Sequence, residues 1–230
     1  MFMRVPMVAI LSIALLALAL GYAGVFGTPA LAQSPHTHQH SFGGAEHWAQ
    51  VFDDPSRDAW QKPHEVIQAL ALKPNASVAD IGSGTGYFAV RLAHFVPQGR
   101  VYGVDTEPDM VKYLADRAAR EGLPNLTAVQ GAADDARLPD KVDLVLMVDV
   151  YHHIERREGY LRKLAAWLKP NARVAIIDFN AKSTMGPPRG QRIAAKRVMS
   201  EMAGAGYRLQ AEHRFLPDQY FLVFQAKSGN

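Results

Sequence analysis

Through the middle of the chain, short and nearly continuous apolar runs alternate with longer stretches in which apolar residues recur at every third or fourth position. The runs predict strands over 77–81, 100–104, 125–130, 142–148 and 172–178. The stretches between them predict helices over about 86–96, 108–121, 155–168 and 190–205. Strands without a polar face, alternating with amphipathic helices, are the pattern of a parallel sheet covered on both sides. Near the end the pattern changes, because 207–214 and 219–226 both read as strands and only Phe215-Leu216-Pro217-Asp218 joins them. So short a link cannot hold a crossover helix, and the sheet should finish in an antiparallel hairpin. The fold class expected is therefore α/β, with a doubly wound, mostly parallel sheet.

Upstream, Ala45, Trp48, Ala49 and Phe52 stand at helical spacing until Asp54-Pro55 stops them. Pro63 then suits the first turn of another helix, through Leu72, whose stripe is Val66, Ile67 and Leu70. These helices should form a cap ahead of the sheet. The first residues differ in kind: 1–4 carry one positive charge, 5–26 carry none, and Ala30-Leu31-Ala32 has the small-x-small form of a cleavage site. We expect residues 1–32 to be a secretory signal that leaves Gln33 as the mature start, or else an uncleaved anchor giving membrane association through residues 5–26. The protein would accordingly be exported or membrane-anchored. His36, His38 and His40 alternate in the next segment and could gather on one side of a strand, but a solvated arm is the expected state and no metal site is assigned.

Composition changes this picture little. The 230 residues are 48% hydrophobic and 20% charged, with a net charge of +3 and basic residues scattered among acids, so nucleic acid is not implied as a partner. The absence of cysteine excludes disulfides, thiolate metal sites and a cysteine nucleophile.

The chemistry is concentrated at strand ends. The stretch VADIGSGTGYFAV places Gly82, Ser83, Gly84 and Gly86 between the first strand and its helix, where backbone without Cβ atoms can turn sharply and approach a ligand. Asp80 stands two residues before this loop. A carboxylate there would repel a pyrophosphate and attract an ammonium group. The dinucleotide pattern G-x-G-x-x-G also fails at Tyr87, although Gly84 to Ala89 fits its looser form ending in alanine. An NAD(P)-dependent oxidoreductase is therefore the runner-up. Asp105 ends the second strand in VYGVD, where a carboxylate can accept hydrogen bonds from both hydroxyls of a ribose, with Thr106 beside it and Glu107 as substitute.

Taken together, DIGSGTG, the VYGVD strand end, the acidic GAADDARLP segment and VDLVLMVDVYHHI resemble the class I S-adenosylmethionine-dependent methyltransferases, near the quinone-biosynthesis-like branch. The resemblance runs from about Val66 to Ala226 and implies a Rossmann-like domain, placed at 63–228 after an arm and cap helix over 33–62. It implies seven strands with the last reversed, and S-adenosylmethionine as cofactor. In that frame Asp80 and the glycine loop hold the methionine end and Asp105 holds the ribose. The acid that usually follows the third-strand glycine is here Ala132, so Asp134 or Asp135 is expected to meet the adenine.

Asp149, Tyr151, His152 and His153 follow the fourth strand, with Asp149 assigned to the cofactor and the other three to catalysis. Imidazole titrates near neutrality, so His153 by resemblance, or His152, could take a proton from the acceptor; packing beneath the cofactor is the competing role. Trp48, Phe52, Trp60 and Tyr151 could line an apolar acceptor pocket, or serve as core. The acceptor itself is expected to be a small molecule. A non-catalytic nucleoside-binding protein on the same fold remains the alternative.

Overall fold

A computed structural model describes residues 44–227. The signal or anchor segment, the histidines of the arm and the residues after 227 lie outside the described residues. Within them, the helices α1 (Ala45–Phe52), α2 (Arg57–Gln61) and α3 (Pro63–Ala69) precede β1 (Ser77–Ile81), α4 (Tyr87–Phe95), β2 (Arg100–Asp105), α5 (Pro108–Arg120) and β3 (Leu126–Gln130). Then follow β4 (Val142–Val148), α6 (Arg157–Leu164), β5 (Leu168–Phe179), α7 (Ala195–Gly204), β6 (Tyr207–His213) and β7 (Gln219–Ala226).

The seven strands form one sheet in the order β3-β2-β1-β4-β5-β7-β6. Strands β1 to β5 pair in parallel, whereas β7 is antiparallel to both β5 and β6. The order reverses on either side of β1 and β4, so the loops after these two strands open into one crevice at their carboxyl ends. Side chains alternate across the sheet as the period of two requires. Val78, Leu144, Leu146, Ile177 and Phe221 pack with α3, α4 and Leu114 of α5 on one face. Ala79, Val145, Met147, Ile176 and Leu222 pack with Leu161 of α6 and Val198 of α7 on the other. Fully burying each such aliphatic side chain is worth about 1.5–3 kcal/mol, which fixes the register that carries the crevice residues.

Three boundaries differ from expectation. Asp54-Pro55 follows the end of α1 as expected, but the five residues of α2 then form a helix before Pro63 where none was expected, since a helix so short shows no periodicity. α6 ends at Leu164, a 3₁₀ turn follows over Ala165–Trp167, and β5 begins at Leu168. α7 begins only at Ala195 because Arg192 fastens the preceding loop, donating to the carbonyls of Pro187, Asn180, Ser183 and Met185 at 2.7–3.0 Å.

Candidate functional site

The loop after β1 is held on its strand side by main-chain bonds: Gly82 N and Ser83 N donate to Val104 O at 2.8 and 3.0 Å, and Gly86 N to Ser83 O at 2.9 Å. Gly82, Gly84 and Gly86 all have positive φ, at 69°, 52° and 97°. A side chain at Gly82 would put its Cβ 2.2 Å from Val150 Cγ2, and one at Gly86 would put it 2.4 Å from Leu114 Cδ1. Both glycines are thus required by φ and by space. At Gly84 the space is bounded instead by the Phe52 ring, 3.4 Å from where a Cβ would stand. Phe52 stacks on Trp48, so the aromatic stripe of α1 stands over the loop. Arg117 of α5 binds both Thr85 O and Asp53 at 3.0 Å and fastens loop to cap.

Around this loop the carboxylates gather. Asp105 accepts from Gly84 N at 2.8 Å and from Glu107 N at 3.0 Å, which places it against the loop. Burial raises its pKa, opposed by the amides of Glu107, Gly84 and Thr106. Asp80 is 3% exposed; burial, then the charge of Asp105, pushes its pKa up to about 8 against the Ala89 amide and Arg57. Asp149, just past β4, sits at φ 58° and is half-buried. Gln61 Nε2 donates to one of its oxygens at 3.1 Å and Gln219 Nε2 to the other. Burial and then the nearby Asp178 push it up to about 7. Arg57 of α2 answers this charge only in part: its guanidinium lies 4.1 Å over the Tyr87 ring and donates to Gln61 and Phe52 O.

The turn over Tyr151–His153 is a 3₁₀ helix. Tyr151 is fully buried and donates its hydroxyl to Glu201 of α7 at 2.8 Å, where Arg157 also binds at 2.7 Å. The His152 side chain is 6% exposed and its Nδ1 lies 2.9 Å from both oxygens of Asp178. His153 is exposed, with its ring 4.1 Å from that of His152. Trp60 faces Phe179, at 5.9 Å between ring centres.

The structure therefore brings Asp80, Gly82, Ser83, Gly84, Gly86 and Asp105 into one cradle, with Asp149 next to the cap. Thr106 is exposed beside it. Asp134 and Asp135 are occupied elsewhere: Asp134 pairs with Lys163 of α6, and Asp135 accepts from Trp167 Nε1 at 3.2 Å and Arg137 N at 2.9 Å. Sequence reading missed Arg57, Gln61, Gln219 and Asp178. The two glutamines carry no charge to betray them, but Asp178 stands one residue before the end of β5 much as Asp105 ends β2, and that parallel was available.

A methyltransferase-domain family model matches residues 72–213, more than half of the chain. The chain belongs to the class I S-adenosylmethionine-dependent methyltransferases. A ubiquinone/menaquinone biosynthesis C-methyltransferase of Ectopseudomonas mendocina is 30% identical over 166 residues, covering 66% of this chain and 64% of that protein. The curated relatives are spanned only partly, from 27% to 64% of their length. The crystal structure of a SAM dependent methyltransferase from Aquifex aeolicus is 27% identical, with a TM-score of 0.74 over 79% of this chain and 97% of that one. A magnesium protoporphyrin IX methyltransferase from Synechocystis, solved with SAH bound, shares the fold at 17% identity, with a TM-score of 0.61 over 80% of this chain and 94% of that one.

The cradle suits the cofactor of this family. Its acceptor-rich wall of Asp80 and Asp105 fits a ligand that brings an ammonium group and ribose hydroxyls, and not a polyphosphate. Ser83 Oγ and Thr85 Oγ1 are buried in the loop without a hydrogen-bond partner, so the loop has polar capacity to spare.

Proposed function

We propose that the protein transfers a methyl group from S-adenosylmethionine to a small-molecule acceptor. The observation that carries this is the joining of three left-handed glycines to two carboxylates, the buried Asp80 and the half-buried Asp105, at the crossover of the sheet. When bound, the cofactor supplies an already electrophilic sulfonium methyl, so the chain has mainly to align, exclude water and take up any proton released. Asp80 receives the ammonium end, and the ionised form it needs is favoured by that incoming charge. Asp105, fixed by two amides, receives the ribose. Gly82, Ser83, Gly84 and Gly86 let backbone approach, with Thr106 at the rim, and Asp134 or Asp135 meets the adenine only by leaving its present partner. Asp149 and the cap residues Arg57 and Gln61 close the end facing the acceptor. The histidines after β4 supply the proton acceptor.

Calorimetry of the full-length protein with S-adenosylmethionine, S-adenosylhomocysteine and NADH tests this. Binding of the first two is expected; binding of NADH alone would overturn it in favour of an oxidoreductase. We further propose that residues 1–32 direct export or anchoring. Intact mass of the protein from its host is expected to begin at Gln33, or to be full length in the membrane fraction. A full-length soluble protein would refute that reading.

A further inference from the structure

Asp178 is the penultimate residue of β5 and is 1% exposed. Two amides reach its carboxylate, Phe179 N at 2.8 Å and His152 N at 3.2 Å. The remaining donor is His152 Nδ1, 2.9 Å from both oxygens. A carboxylate accepts hydrogen bonds and does not donate them, so Nδ1 carries the hydrogen. The neutral ring then keeps its lone pair on Nε2, and among the described residues no hydrogen bond reaches that nitrogen. The Asp178 register partner across the β5–β7 ladder is Tyr220, which puts both side chains on one face of the sheet. The Tyr220 hydroxyl is buried and has no hydrogen-bond partner. Burial and then the charge of Asp178 push its pKa far up, so it stays protonated and able to donate.

We propose that Asp178 and His152 form the proton-accepting pair of the methyl transfer, with His152 Nε2 as base, Asp178 as its positioning residue and Tyr220 as a donor to the acceptor. This rests on the methyl-transfer reading above and sharpens it. The acceptor is then a neutral molecule whose nucleophilic atom is a hydroxyl oxygen, carrying a second oxygen that Tyr220 can address. A carboxylate-bearing group at this place would meet Asp149 and Asp178 and be repelled. In the step, the hydroxyl proton moves to Nε2, the oxygen forms its bond to the methyl carbon, and the electron pair of the broken methyl–sulfur bond stays on sulfur. The imidazolium so formed is balanced by Asp178. His153 is exposed on the same turn, its ring 4.1 Å from that of His152.

The groups around the pair are His153 on its own turn, Asp149 after β4 and Tyr220 on β7. Tyr151, on the same turn, is committed to Glu201 and Arg157. Imidazole nitrogen NMR on full-length ¹⁵N-labelled protein tests the proposal, with His153→Gln used for assignment. His152 is expected as the Nδ1–H tautomer. In Asp178→Ala, where no acceptor faces Nδ1, the ring should shift toward the Nε2–H tautomer, and the Nδ1–H form should recover in Asp178→Glu. S-adenosylhomocysteine affinity, measured by calorimetry, should stay within about twofold in both variants, since the pair acts on the acceptor. An Nε2–H tautomer in the wild type, or an unchanged tautomer in a folded Asp178→Ala, would overturn it; if that variant does not fold, the wild-type tautomer and Asp178→Glu still decide. The expected tautomer in a wild type that fails to bind S-adenosylhomocysteine would sink the methyl-transfer reading instead, and with it the use of the pair as base.

Discussion

The two ends of the sheet treat their carboxylates in opposite ways. At the amino ends of the strands, Asp143 of β4 accepts from the Ser77 amide at 2.7 Å and from Lys169 Nζ at 2.9 Å, and Lys169 also reaches Ser77 Oγ at 3.1 Å. Burial pushes Asp143 up, but the Lys169 bond and the Ser77 amide together outweigh it and hold the carboxyl below its ordinary range. At the carboxyl ends, Asp80, Asp105 and Asp149 are all raised, with burial as the first cause in each. One end is arranged for stability. The other keeps carboxylates close together with too little compensating charge, an arrangement that costs free energy in the empty protein and is relieved by a cationic ligand.

The largest effect should come from the backbone that holds this unfavourable end together. Gly82→Ala meets both a left-handed φ and the Val150 side chain. Strain of ~1–2 kcal/mol adds to overpacking of ~1–3 kcal/mol. Urea unfolding should therefore show a loss of about 2–5 kcal/mol, together with weakened S-adenosylmethionine binding; an unchanged midpoint would mean that the loop does not need its conformation. Asp105→Ala comes next. Charge-assisted hydrogen bonds to the ribose are worth ~1.5–3 kcal/mol, so cofactor affinity should fall roughly 10- to 100-fold by calorimetry. Unchanged affinity would remove Asp105 from the cofactor site.

Asp80→Asn should separate function from stability. A buried carboxyl raised to about 8 keeps its proton while the unfolded chain loses it, so wild-type stability falls as pH climbs from about 4 toward 8. The asparagine variant escapes this penalty. Its melting temperature should exceed that of the wild type by roughly 2–8 °C at pH 8, for ~1–2 kcal/mol gained, and the gap should close toward pH 4. Cofactor affinity should fall in the same variant. A variant less stable than the wild type at pH 8 would show that Asp80 serves the fold and not the ligand.

How far the sequence disclosed this contrast depends on what each residue advertises. The strands were legible because apolar runs of this kind survive any choice of loop, and the glycine loop because left-handed backbone next to packed side chains admits little else. Asp80 and Asp105 were legible by position, since they border that loop. The pairing of His152 with Asp178 was not, because it joins the turn after β4 to the end region of β5, whose approach is set by β4 and β5 lying side by side. Gln61 and Gln219 were hidden for the same reason: residues far apart in the chain meet at Asp149 only once α2 lies over the crevice. Tyr151 was read as a site residue on proximity alone, and its bond to Glu201 fastens α7 to this turn.

The smallest expected effect belongs to the opposite end, and its sign is what matters. Asp143→Asn keeps an oxygen for the Ser77 amide and loses only the charge facing Lys169. That ion pair is partly open to water, with side chains 36% and 43% exposed. A pair so placed is worth at most ~1 kcal/mol and is screened further by salt. Because the folded carboxyl lies below its unfolded value, its contribution is present at neutral pH and is lost as pH falls through the folded pKa. The variant should thus be slightly less stable than the wild type at pH 7, with the difference vanishing in strong acid and shrinking in high salt. Asp80→Asn shows the reverse on every count: more stable than the wild type, with a gap that grows as pH rises. Chemical denaturation of both variants at pH 2, 4, 6 and 8 would read the two slopes directly. Slopes of the same sign would mean that the ends of the sheet do not differ in the way their hydrogen bonds indicate, and that the carboxylates around the glycine loop are compensated within the protein itself.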